Sequence, residues 1–272
     1  MSTARWAAAL RAEESGRADR LFVDPLAAVL AGDEGRAALA ASVRANPRHD
    51  ATAAFLAIRT RYFDDLCRRS AGAGIRQVVT LAAGMDARAF RLGWPEGTVV
   101  YELDYPGLLQ SKDEILARVR AVPRCRRVAI GTDLKQPWTA ALEEAGFSVD
   151  EPTLWLAEGV LYYLIRDDVV ALLESAFRLS ACGSRLGADL VSESYLTSPL
   201  TQPALAVLAE RDMGGRFGTD EPESFLAETG WNAEVRQPGE DGVSHGRWPH
   251  PLVSRDRKDL PHAFLVAARK RT

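Results

Sequence analysis

Residues Gln77–Asp104, QVVTLAAGMDARAFRLGWPEGTVVYELD, read as strand, tight turn, short helix, loop and strand. Val78–Leu81 is a short apolar run with β-branched residues, the pattern of a strand buried on both faces. Ala82, Ala83 and Gly84 follow, with side chains too small to hold a ligand away from the backbone. Asp86 stands where a helix N-cap belongs, Ala87–Leu92 carries a turn or two of helix, and Gly93, Pro95 and Gly97 end it. A second strand from Val99 runs into Glu102 and Asp104. An acid about 20 residues past a glycine-containing strand–helix turn is where mononucleotide-binding α/β units hold a ribose diol. A pyrophosphate needs several glycines for close backbone approach, and this turn supplies Gly84 alone. That pattern suits an adenosine ligand without phosphates, such as S-adenosylmethionine, better than NAD or FAD. An ordinary strand–turn–helix that binds nothing is the alternative.

Outward from this stretch, strand and helix patterns alternate. Candidate strands are Val78–Leu81, Thr98–Leu103, Arg127–Ile130, Thr153–Ala157, Arg185–Val191, Ala233–Gln237 and Ala263–Arg269. Helical candidates at Pro106–Val119, Pro137–Ala145 and Arg166–Ser180 lie between the early strands, so the fold class is α/β with a mostly parallel sheet. The last two strands have no convincing helix between them and read as an antiparallel pair at the sheet edge. Before the sheet, residues 3–15 look helical, and Asp24-Pro25 starts a helix at Leu26–Leu30 that Gly32 and Gly35 break. From Asp50 to about Ser70, Ala54, Ile58, Tyr62 and Leu66 recur at four-residue spacing. Residues 193–230 read as a loop, a helix, a glycine hinge at Gly214-Gly215 and a second capped helix. The expected organisation is one domain over 1–272: a helical cap (1–74), an α/β core (75–192), a helical insertion (193–230) and a C-terminal strand pair (231–272).

The totals exclude several classes. The 272 residues carry 34 Lys plus Arg against 37 Asp plus Glu, a formal net charge of −3, so general nucleic-acid binding is not indicated. Cys67, Cys125 and Cys182 lie far apart with no C-x-x-C, which argues for reduced thiols in a cytoplasmic protein and against a zinc knuckle. No apolar run approaches the length of a membrane span, and the Ala-rich start reaches Glu13-Glu14 without a cleavage-like site. H-E-x-x-H, G-x-S-x-G and Walker motifs do not occur.

Ligands on open α/β sheets sit beyond the carboxyl ends of the strands. Those ends are Ala82–Gly84, Glu102–Asp104, Thr132–Leu134 and Ala157–Gly159, and three of the four carry an acid. A carboxylate at the second end can accept both ribose hydroxyls. Asp133 can accept an adenine amino group, with the Leu134 backbone as a donor.

Several motifs in this order resemble the leucine carboxyl methyltransferase family, in particular its bacterial branch of S-adenosylmethionine-dependent O-methyltransferases. The carrying residues are RADRLFVDPLA (17–27), AIRTRYFDD (57–65), VVTLAAGMDARAFRL (78–92), YELDYPGLLQSK (101–112) and WLAEGVLYYL (155–164). The resemblance implies a class I methyltransferase (Rossmann-like) fold of seven strands, the last antiparallel, behind an N-terminal helical extension. It implies S-adenosylmethionine as cofactor and S-adenosylhomocysteine as product. It matches Arg59 to the arginine that pairs with the cofactor's carboxylate, Gly84 and its neighbour Ala83 to the turn beneath it, and Asp104 to the ribose acid with Glu102 as competitor. Asp133 and Leu134 match the adenine side, Glu158 the acid near the amino group, and Arg17 or Arg20 a loosely aligned first motif. The family has glycine where Ala82 stands.

Methyl transfer from a sulfonium is an in-line displacement in which the enzyme mainly positions the reacting atoms. A carboxylate acceptor is already ionised and needs no base, whereas a phenol or alcohol benefits from one. The candidate bases are His49, His245, His250 and His262; His245 and Tyr195 are the catalytic candidates. No metal set is evident, since His245 and His250 lack a third ligand. Trp155, Tyr162, Tyr163, Tyr195, Trp231 and Trp248 can line an apolar acceptor pocket or form core. The acceptor is expected to be a small molecule, such as a polyketide-type secondary metabolite. A protein C-terminal carboxylate, a non-catalytic binding role and an NAD-dependent dehydrogenase are the alternatives.

Overall fold

The computed structural model describes residues 2–46, 48–209 and 215–270. A seven-stranded sheet runs in the order β3-β2-β1-β4-β5-β7-β6. Its strands are β1 (Gln77–Leu81), β2 (Val99–Asp104), β3 (Arg126–Gly131), β4 (Thr153–Ala157), β5 (Arg185–Val191), β6 (Trp231–Arg236) and β7 (Ala263–Lys270). β1 to β5 pair in parallel, and β7 is antiparallel to both β5 and β6. All seven strands stand within two residues of their expected bounds. β1 and β4 are buried at every position, as continuous apolar runs between two helical layers should be. The order reverses between β1 and β4, and such a switch opens a crevice at the carboxyl ends.

The cap is formed by α1 (Ser2–Gly16), α2 (Ala27–Ala45) and α3 (His49–Gly72). The chain bends at Gly32, where φ is 59°, as expected. Gly35 does not break the helix as expected. A side chain there would put its Cβ 2.5 Å from the Arg5 carbonyl oxygen, so this glycine serves close packing of α2 on α1. Ile58 and Leu66 of the four-residue stripe on α3 are buried against the core, and Phe63 beside them is fully covered.

The core helices are α4 (Arg88–Arg91), α5 (Pro106–Arg118), α6 (Thr139–Glu144) and α7 (Arg166–Arg178). The insertion holds α8 (Glu193–Thr197), α9 (Gln202–Ala209) and α10 (Pro222–Glu228). Of the expected glycine hinge, Gly214 lies outside the described residues. Residues 237–262 link β6 to β7 without helix or strand and turn back over the cap. There Arg247 meets Glu14 of α1 at 2.9 Å and donates to the Asp19 carbonyl at 2.7 Å. No helix among the described residues is long and apolar enough to cross a membrane.

Candidate active site

The carboxyl ends of β1, β2, β4 and β5 open into one cavity of about 590 Å³, roofed by α1 and α3. The turn after β1 forms its floor. Ala82 and Gly84 both sit in the left-handed region, at φ 58° and 51°. Gly84 N–H donates to Asp104 Oδ2 at 2.7 Å, and Tyr105 N–H to Oδ1 at 2.7 Å. Asp104 thus ties the β1 turn to the end of β2, and each of its oxygens keeps a lone pair for a further donor. Burial pushes its carboxyl pKa up, and the two amides offset this only in part.

Alanine in the left-handed region costs roughly 1–2 kcal/mol, part of which glycine returns through its freer unfolded chain. Ala82→Gly is therefore expected to raise stability by up to about 1 kcal/mol. Urea unfolding checks this; a loss of stability would show that the alanine methyl packs better than its backbone is strained.

Beside the turn runs a chain of alternating charges. Arg11 Nε meets Asp24 at 3.1 Å, and Arg91 Nε faces the same carboxylate at 3.8 Å. Arg91 then grips Asp64 with both terminal nitrogens, at 2.5 and 2.6 Å. Arg88 joins Asp64 at 2.8 Å, Glu158 at 2.7 Å and Asp86. Arg59 closes the chain, donating from Nε to Glu158 Oε1 at 3.1 Å and from NH1 to Asp189 Oδ2 at 2.9 Å. Burial raises the Asp86 carboxyl pKa, but Arg88, Lys112, Arg91 and Arg11 together outweigh it, leaving it at about 2. Burial likewise opposes the Arg59 charge, and Asp189, Tyr162 and Glu158 together hold its pKa well above the usual value. In Asp189 burial wins: Arg59 and the Gly159 amide only partly offset the rise. Four guanidiniums (Arg11, Arg59, Arg88, Arg91) meet five carboxylates (Asp24, Asp64, Asp86, Glu158, Asp189), so the set carries one excess negative charge. The NH2 nitrogen of Arg59 has no acceptor among the described residues, although Nε and NH1 are engaged.

Beyond Arg59 the cavity turns aromatic. Tyr162 Oη accepts from Arg59 NH1 at 3.3 Å, Tyr162 and Tyr163 rings lie 4.5 Å apart, and Tyr195, Leu205, Trp248 and Leu252 line the same end. Burial pushes the phenol pKa of Tyr163 up to about 12 and those of Tyr162 and Tyr195 upward too, so all three are neutral donors at neutral pH. Trp155 and Trp231 are core instead: both are fully buried, with their indole N–H groups donating to Ser180 Oγ and the Leu173 carbonyl.

Of the expected cofactor residues, Arg59, Ala83, Gly84, Asp104 and Glu158 line the cavity, and Glu102, Asp133 and Leu134 do not. Glu102 points to the same face as Asp104 but two residues earlier, beneath α5. There it holds Lys112 at 2.7 Å and Arg127 at 2.8 Å. Asp133 accepts from the Lys135 amide at 3.0 Å at the β3 edge, and Leu134 packs on the core; of that loop, Lys135 lines the cavity. Tyr195 lines the aromatic end, whereas His245 lies outside the lining. His49 is also outside it, His250 is exposed at the rim, and both ring nitrogens of His262 are occupied. Arg17 and Arg20 are exposed, away from the lining; Arg11 lines it instead. No group of three or more His, Cys, Asp or Glu among the described residues could hold a metal ion.

Sequence reasoning missed Asp189 and Arg88. Asp189 is a lone acid inside the apolar strand RLGADLV, a signal that a buried cation awaits it. Arg88 sits within GMDARAFRL, where it reads only as a helical residue.

A profile of the leucine carboxyl methyltransferase family matches residues 4–177. The chain belongs to the leucine carboxyl methyltransferase family. It is 37% identical over 276 residues to a Streptomyces coelicolor protein named as an inferred S-adenosyl-L-methionine-dependent methyltransferase, covering 99% of this chain and 95% of that one. A similarly named Parafrankia protein is 42% identical over 236 residues, covering 84% and 76%. The crystal structure of a DUF574 family protein from Streptomyces avermitilis shares the fold, with a TM-score of 0.66 at 16% identity over 99% of this chain and 97% of that one. Membership of the leucine carboxyl methyltransferase family makes this chain an S-adenosylmethionine-dependent methyltransferase.

Proposed function

We propose that the enzyme methylates an oxygen, carboxylate or hydroxyl, of a small apolar molecule such as a polyketide-type secondary metabolite. One observation carries this reading: a single cavity joins a charged end at Gly84, Asp104, Glu158 and Arg59 to an aromatic end at Tyr162, Tyr195 and Trp248. The charged end suits S-adenosylmethionine, which has two positive groups and one negative group. The buried charge chain carries one excess negative charge, and Arg59 keeps one nitrogen for a carboxylate. Asp104 would accept the ribose hydroxyls, Glu158 the ammonium, and Ala83 and Gly84 would let the ligand approach the backbone. Asp133 and Leu134 would meet the adenine edge from the loop they share with Lys135. Glu102 is left out because Lys112 and Arg127 occupy it.

When bound, the cofactor supplies an electrophilic methyl on a sulfonium. The protein's part is orientation. The neutral phenols of Tyr162 and Tyr195 can donate to the acceptor's oxygen, while Leu205, Trp248 and Leu252 hold its apolar body and exclude water.

Calorimetry with S-adenosylhomocysteine tests the charged end. Asp104→Ala removes a charged acceptor, and charge-assisted hydrogen bonds contribute roughly 1.5–3 kcal/mol, so affinity should fall about 10- to 100-fold. Binding of NAD with no response to S-adenosylhomocysteine would overturn the reading.

A further inference from the structure

The linking segment 237–262 forms a wall of the aromatic end through Trp248, Leu252, Val253 and Leu260. Its two ends meet in a buried contact. Gln237 is 8% and His262 4% exposed, and His262 Nδ1 lies 2.9 Å from Gln237 Oε1. Gln237 Nε2 donates to the Val253 carbonyl at 3.0 Å, and His262 Nε2 lies 3.0 Å from the Arg257 carbonyl. The His262 backbone is fixed as well. Its N–H donates to Ser192 Oγ at 2.9 Å, and its carbonyl accepts from Ser192 N–H at 3.0 Å.

The side chains therefore form a run of three links with an obligate acceptor at each end: Val253 carbonyl, Gln237, His262, Arg257 carbonyl. Three links need three donors. The amide presents one donor side and one acceptor side, and a neutral imidazole adds one donor and one acceptor. That makes two donors. Turning the Gln237 amide over moves the deficit to another link without removing it. An imidazolium donates from both nitrogens and completes all three.

We propose that His262 is a positioning residue for the acceptor compartment, holding the 237–262 wall through Gln237 and Arg257 while its ring carries two protons and releasing it when one is lost. The assignment to an acceptor compartment rests on the proposed function; the behaviour of the wall does not.

The charges around the ring come from several elements. From the wall itself, Asp259 faces it, its own carboxyl pulled down to about 2 chiefly by hydrogen bonds from the Arg257 side chain, with a small contribution from His262. From β7, Phe264 stacks on the imidazole at 6.1 Å and carries Arg255 at 5.2 Å, which is paired with Glu223 of α10 at 2.5 Å. Past β6, Glu240 accepts from the Gln237 backbone N–H at 2.7 Å and pairs with Arg236. The doubly protonated ring completes the links, so the wall is held at low pH and loosened as pH rises through the ring's own titration.

Hydrogen–deuterium exchange on the full chain tests this, read at residues 238–261 across pH and corrected for intrinsic exchange, with the ring titration followed by NMR. Protection of the wall should fall about tenfold as the ring loses its second proton, the scale of one lost buried link. In His262→Gln, which has no titrating ring, the step should vanish. Flat protection through the parent's ring titration, or an unchanged step in His262→Gln, overturns the proposal. If that variant does not fold, the parent's titration and exchange decide alone. Parallel calorimetry with S-adenosylhomocysteine reads the proposed function, so the two failures can be told apart.

Discussion

Asp189→Ala is expected to destabilise the protein by about 3–5 kcal/mol, the usual result of removing one partner from a buried ion pair. The carboxylate is fully buried and accepts from Arg59 NH1 at 2.9 Å and from Gly159 N–H at 2.6 Å. Without it, a buried guanidinium keeps one carboxylate fewer and a backbone donor loses its acceptor. Urea unfolding should show a lower midpoint at an unchanged slope. Replacing both charges, as Arg59→Met with Asp189→Leu, should recover part of the loss, because no unpaired charge then remains. A single variant within about 1 kcal/mol of the parent would mean that water or Glu158 takes over the role.

Arg59→Lys should lower affinity for S-adenosylhomocysteine roughly 10- to 100-fold while helix content persists. Lysine keeps the charge but loses the fork that serves Glu158 and Asp189 at once and leaves NH2 for a ligand. It should also cost stability, since Arg59 links α3 to β4 and β5. Arg61→Lys is the comparison. Arg61 lies two residues along the same helix, pairs with Asp65 at i+4 and donates to the Leu21 carbonyl at 2.9 Å. The pair contributes only a few tenths of a kcal/mol, and cofactor affinity should not change. Equal affinities for both variants, by calorimetry with circular dichroism as folding control, would remove Arg59 from the cofactor site.

The sheet was legible because the central strands are short, largely apolar runs and β6 alternates apolar with polar residues, and parallel pairing follows from the helices between. Gly35 misled because glycine breaks a solvated helix but permits close packing in a buried one, and the local sequence is the same in both cases. The wall 237–262 has no apolar period to read, so its place in the cavity appears only in three dimensions. At the site, Gly84, Asp104 and Glu158 could be placed because strand ends are recognisable in sequence. The strand pattern alone could not rank Glu102 and Asp104, because its alternation puts both on one face; the resemblance favoured Asp104, and in the structure Lys112 of α5 and Arg127 of β3 cover Glu102. Asp189 stayed hidden because its partner lies 130 residues away, and no local pattern relates two such positions.

The chain is made from its N-terminus, and the cap comes first. Arg59 must wait for β5 before Asp189 exists to meet it. Glu14 waits longer still, for Arg247, 233 residues later. Contacts this distant form late, after their loops have closed. On the ribosome α1 can pack on α2 early, but the face of α3 that meets β4, β5 and β7 has nothing to dock against until the sheet is nearly complete. The roof is tied down by a contact between Glu14 and Arg247, so a nascent chain halted before Arg247 holds every strand end of the crevice without a locked roof.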